Sequence, residues 1–138
     1  MRLASLAVLF LALPLFAADE KPAVKEVPTK DLKVAFPEKF PGVKNLETIT
    51  SADDLAKSAM LKGAADDIKK QIDFKTEKLV AFAWQGSGGD KLAVELRNTD
   101  GKQQVVFLVT PGLTFDLRQH VKLYAVPKDA EVLTSTAK

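Results

Sequence analysis

Residues 79–84, Leu-Val-Ala-Phe-Ala-Trp, are apolar at every position, so a strand written there presents apolar side chains to both faces of its sheet. Such a strand must be central and covered on both sides. The segments after it carry the other strand signature. Leu92, Val94 and Leu96 alternate with Ala93, Glu95 and Arg97, the pattern of a half-exposed strand. Asn98-Thr99-Asp100-Gly101 supplies turn residues, and residues 104–110 return as the hairpin partner. A last strand is expected within residues 120–126, stopped by Pro127. The predicted core is Val80, Phe82, Leu92, Val94, Phe107 and Leu123.

Before residue 73 the period is helical. Residues 46–50 form a weak strand candidate, and Ser51 with Asp54 three positions on resembles a capping box opening a helix whose apolar side holds Leu55, Ala59 and Met60. Gly63 is expected to break it. Residues 64–72 restart with Asp66-Asp67 early and Lys69-Lys70 late, the charge order that suits the helix dipole. The sequence therefore predicts an α+β fold with one interrupted helical segment followed by a mainly antiparallel sheet of about four or five strands.

The N-terminus reads as an address. Arg2 precedes an apolar run that closes on Ala17-Ala18 and then Asp19-Glu20-Lys21, the layout of a secretory signal peptide over residues 1–17. The apolar core is shorter than the roughly 20 residues a spanning helix needs. Cleavage is expected after Ala17, with Ala18 the alternative, and a secreted or periplasmic protein follows. Residues 18–42 contain four of the seven prolines, Pro22, Pro28, Pro37 and Pro41, and read as a loosely attached linker or arm. Residues 43–134 then form a single globular domain, which must be stable without disulfides because the chain is cysteine-free.

Net charge argues against a general nucleic-acid or membrane-surface binder and leaves any electrostatic function to local arrangement. Without Arg2 the 20 basic residues become 19 against 18 acidic ones, which is not the basic excess of a nucleic-acid or membrane-surface binder. His120 is the only histidine and there is no cysteine, so multi-histidine metal sites are removed and no cysteine is left to complete a mixed one. No cofactor motif is present either. The acidic pairs Asp53-Asp54 and Asp66-Asp67 are better explained as helix-start charges than as paired catalytic carboxylates or calcium ligands.

Two places carry candidate chemistry. The loop Gln85-Gly86-Ser87-Gly88-Gly89-Asp90 holds a serine among glycines, but a nucleophile elbow needs glycine at the position of Gln85 and a helix after the turn. A hydrolase using Ser87 and His120, with Asp90 or Asp116, is an alternative reading. The second place is the row Arg118, His120, Lys122 and Tyr124, which strand alternation puts on one face. That row either binds an acidic partner surface or is a solvated sheet face opposed by Glu95 on a neighbouring strand. The candidate contact site is thus Trp84, Gln85, Ser87, Asp90, Arg118, His120, Lys122 and Tyr124. Trp84 and Tyr124 as exposed stacking platforms would make a polysaccharide-binding module.

The order Ile72-Asp73-Phe74, an apolar strand, a loop with Gly88-Gly89, further strands and a closing Tyr124-Ala125-Val126-Pro127 resembles the C-terminal domain of PrcB-type protease-complex subunits and related secreted proteins of unassigned function. The likeness covers residues 72–127, and Ser87-Gly88-Gly89-Asp90 stands where that family shows Thr-Gly-Gly-Tyr. It implies a small exported accessory domain that binds a protein partner, such as an envelope protease, with no catalytic residues. A non-enzymatic binding domain acting through a protein surface is therefore the expected function.

Overall fold

The computed structural model describes residues 24–36 and 46–137. The expected signal peptide, its cleavage site and residues 18–23 and 37–42 of the arm lie outside the described residues. Residues 25–27 of that arm do not hang free. Lys25–Val27 forms strand β1, pairs antiparallel with residues 123–125, and buries Val27 in the core. Downstream, the Ala35 amide donates to the carbonyl of Met60 at 2.9 Å, and Leu32 and Val34 pack on the core. The proline-rich composition signals weak intrinsic structure, yet a few well-placed apolar residues are enough to dock the segment.

Strand β2 (Leu46–Ile49) leads into helix α1 (Ala52–Lys57). Its start is as predicted: the Asp54 amide donates to Ser51 Oγ at 3.1 Å, while the Asp54 carboxylate accepts from Thr50 Oγ1. Its end is not at Gly63. Ser58 leaves the helical conformation, receives the Leu61 amide on its Oγ and donates to Glu47 Oε2 at 3.0 Å, so the break comes one turn earlier. A single 3-10 turn (Lys62–Ala64) and helix α2 (Ala65–Lys69) follow.

The remaining strands are β3 (Glu77–Ser87), β4 (Lys91–Thr99), β5 (Lys102–Thr110), β6 (Leu117–Pro127) and β7 (Glu131–Thr136). They do not make one sheet. One sheet has the order β1-β6-β3-β2 and is antiparallel throughout; the other has the order β4-β5-β7. The α+β class holds, but two sheets replace the single sheet expected, and β5 pairs with β7 in parallel. β3 has neighbours on both sides within its sheet and is buried on both faces. Leu79, Ala81 and Ala83 meet Leu55, Leu61 and Ile68 of the helical layer, whereas Val80, Phe82 and Trp84 face Val105 and Phe107 of the second sheet. The double apolar face of residues 79–84 is thus covered by helices on one side and a sheet on the other.

Of the predicted core, Val80, Phe82, Phe107 and Leu123 are fully buried, and Leu92 and Val94 are half-buried against the same inter-sheet cluster. The Phe82 and Phe107 rings lie 4.8 Å apart across the two sheets. The β4–β5 hairpin turns at Asp100 (φ 51°) and Gly101 (φ 76°). Two successive positive φ values match the right-handed twist of the flanking strands.

Candidate functional site

Among the described residues, β3 and β6 outrun their neighbours. Pairing between them continues from Glu77↔Pro127 to Ser87↔Leu117, past the last described partners at Phe82 (β2) and Leu123 (β1). Among the described residues, 83–87 and 117–122 therefore pair as a two-stranded ribbon at one end of the sandwich. The β3–β4 turn and the β5–β6 loop (residues 111–116) meet there, and side chains tie them together.

Ser87 is the hub of this junction. Its Oγ accepts from the Gly89 amide at 3.1 Å and the Thr114 amide at 3.2 Å, and shares a hydrogen with Thr114 Oγ1. Asp90 spans three elements. One carboxylate oxygen accepts from Trp84 Nε1 at 3.1 Å and the other from the Gly112 amide at 2.7 Å. Asp116 does the same from the opposite loop, accepting from the Gly88 amide at 3.1 Å and from Arg118 Nε at 2.6 Å. Hydrogen bonds from Thr114 and the Gly88 amide, assisted by the Arg118 guanidinium, hold the Asp116 carboxyl down to about 2. Glycine is required at 112 by proximity alone, since a Cβ there would sit 2.6 Å from the Gly89 Cα.

The predicted contact residues are brought to this end only in part. Trp84 is 2% exposed, stacked on the His120 ring at 4.7 Å and 15°. Tyr124 is 5% exposed and lies in the inter-sheet core beside Phe107, where burial and the nearby Glu26 push its phenol up to about 12. Neither ring offers an open face for stacking a sugar. The row Arg118, His120, Lys122 and Tyr124 does share one face, but that face faces the second sheet, so it runs from solvent into the core. Glu95 does not oppose it. That residue belongs to the other sheet and pairs with Arg97, whereas Arg118 pairs with Asp116 and Lys122 with Glu26 of β1. Gln85 is exposed at the start of the ribbon.

Ser87 and His120 do come close, through the wrong atom for hydrolysis. His120 Nε2 lies 2.8 Å from the backbone carbonyl of Ser87. A carbonyl only accepts, so Nε2 carries the hydrogen there and does not serve as a base toward Oγ. The Oγ itself is occupied by Thr114 and Gly89. Among the described residues, no group of acidic, histidine or cysteine side chains is placed to hold a metal ion, and no helix is long and apolar enough to cross a membrane.

The most exposed apolar groups at this end were not among the predicted site residues. Leu113, Phe115 and Leu117 retain 94%, 108% and 70% of their reference area. Between them, Thr114 and Asp116 point to the β3–β4 turn and are bonded to it. Alternate side chains of one segment are thus anchored inward and displayed outward. The available signal was the alternation Leu-Thr-Phe-Asp-Leu itself, which is also what an ordinary half-buried strand writes.

Compared with models of known protein families, with curated proteins and with solved structures, the chain gives no match.

Proposed function

We propose that the protein is an exported, non-enzymatic accessory domain that works by protein–protein contact, with the joined loops at residues 85–90 and 111–118 as its binding end. The observation that carries this reading is the display of Leu113, Phe115 and Leu117. Exposed large apolar groups held together on one surface are the usual anchors of a protein interface. A displayed loop normally loses entropy on binding. Here the hydrogen bonds of Ser87, Asp90 and Asp116 have already fixed it, which lowers the ordering cost of association. The ion pair Arg118–Asp116 at the rim adds orientation more than affinity.

The likeness to protease-complex subunits accords with this reading and makes an envelope protease the first partner class to examine. The signal-like N-terminus supports an exported location. A small hydrolase using Ser87 and His120 is the rival, and it lacks the serine–histidine hydrogen bond it would need.

The decisive experiment immobilises the exported protein and compares what wild type and a Leu113→Ser, Phe115→Ser, Leu117→Ser triple variant retain from the native envelope fraction. Loss of a reproducibly retained protein, at unchanged melting temperature, is the expected result. Equal retention by both would overturn the assignment of the binding end. An esterase or peptidase activity that disappears with His120→Ala at unchanged stability would replace the accessory reading by the hydrolase.

A further inference from the structure

The segment Leu113-Thr114-Phe115-Asp116-Leu117 has the same apolar pattern in both directions: leucine, phenylalanine, leucine at alternate positions centred on Phe115. A surface that meets a copy of itself across a two-fold axis must be self-complementary, because each residue at one distance from the axis faces the residue at the same distance on the other side. This segment satisfies that condition. With the axis at Phe115, each Phe115 meets its counterpart and each Leu113 meets a Leu117.

From these observations we infer that the protein forms a two-fold homodimer through Leu113, Phe115 and Leu117. The inference rests on the reading of this end as a protein-contact surface and names its occupant as a second copy of the chain. Charge permits the approach. Both oxygens of Asp116 and of Asp90 are already engaged within the chain, and Arg118 is paired with Asp116, so these groups do not meet as unpaired like charges when two copies approach, and Lys91 is the exposed cation left at the β3–β4 turn. One lysine disfavours a membrane surface as the occupant, since stable attachment there generally needs a basic patch beside the apolar groups.

Area sets the strength. Three nearly fully exposed side chains, one of them aromatic, amount to on the order of 500 Å² per copy, against roughly 800 Å² per partner for a standard stable interface. The patch falls below the standard size, so the dimer is weak, and it forms where the exported protein is concentrated or tethered side by side. The joined loops supply the rigidity that lets so small a patch associate at all.

Two measurements on the full exported chain test this. Sedimentation velocity from about 10 µM to about 1 mM is expected to show a shift from monomer to dimer, lost in Phe115→Ser at unchanged melting temperature. Because the chain has no cysteine, single-cysteine variants report the axis directly under a copper–phenanthroline oxidant. With Phe115 retained, Leu113→Cys and Leu117→Cys should cross-link efficiently when mixed and poorly when each is alone. A monomer at every concentration overturns the dimer, as does a dimer that survives Phe115→Ser or in which the mixed variants cross-link no better than either alone. Cosedimentation of a monomer with phosphatidylcholine vesicles, lost in Phe115→Ser, would overturn it in favour of a lipid surface. A monomeric wild type that still retains an envelope protein, through Leu113, Phe115 and Leu117, would overturn the pairing and leave the accessory function standing.

Discussion

Asp90 accepts the Trp84 indole N–H on one carboxylate oxygen and the Gly112 amide on the other, at 3.1 Å and 2.7 Å. One side chain thereby fixes the end of β3 to a loop 22 residues further along the chain. Replacing Asp90 by Ala strands a buried indole N–H, and the loss should be about 1–3 kcal/mol in urea denaturation. Trp84 is the only tryptophan, so its emission reports the site alone. A red shift in Asp90→Ala, and amide exchange at residues 112–114 faster than in wild type, are the expected signs. Unaltered emission would show that Trp84 is held without Asp90.

The Asp116 carboxyl is lowered to about 2 from an ordinary 3.8. A carboxylate whose folded pKa is depressed contributes stability that is present above the unfolded value and is lost as pH falls through the folded one. The Asp116 contacts should therefore be intact at pH 5 and weaken between about pH 4 and 2. The Gly88 amide resonance should titrate with a midpoint near 2. Thr114→Val should raise that midpoint more than Arg118→Ala, because the Thr114 hydrogen bond is the larger cause. The reverse order would make the ion pair dominant.

Phe82→Ala or Phe107→Ala should each cost about 3–5 kcal/mol, since both rings are fully buried and touch across the two sheets. A domain of this size has about 5–15 kcal/mol in total. Either variant should move the urea midpoint far down, and two unchanged midpoints would contradict the inter-sheet core.

Gly112→Ala places a methyl group against the Gly89 backbone. Overpacking of this kind costs about 1–3 kcal/mol, and the strain falls on the two loops. Self-association and partner retention should drop in this variant although none of the displayed side chains is altered. Retention at the wild-type level would show that the display of Phe115 does not depend on the junction.

Much of the fold is legible because local and global preferences agree. Residues 79–84 admit no environment but a doubly covered strand, Ser51 caps the helix it precedes, and Asp100-Gly101 turns the hairpin where the pattern stops. The division into two sheets is not legible. Leu92 and Val94 alternate in the same way whether their strand joins β3 or packs over it, and that choice is made by long-range packing of Phe107 on Phe82. β1 escapes notice because Lys25-Glu26-Val27 offers one apolar residue, and β7 because Pro127 marks an end without showing that another strand follows. At the site, alternation places Arg118, His120, Lys122 and Tyr124 on one face correctly, but cannot say how far along that face the second sheet extends. Exposure of Leu113, Phe115 and Leu117 is decided by the side chains of Ser87, Asp90 and Asp116, which lie far away in sequence or between them.

The parallel pairing of β7 with β5 bears on how the chain matures. Residues 105–109, Val-Val-Phe-Leu-Val, are uncharged and strongly strand-forming, the kind of segment that stacks with copies of itself when its edge lies open. One edge is sealed early by the adjacent hairpin partner β4, but the other is sealed only by residues 131–136, which follow β6 in the chain. Until they are made and docked, that edge has no native neighbour. A stop codon after Pro127 should leave the hairpin and the first sheet able to form, yet leave the protein aggregating, as light scattering would show.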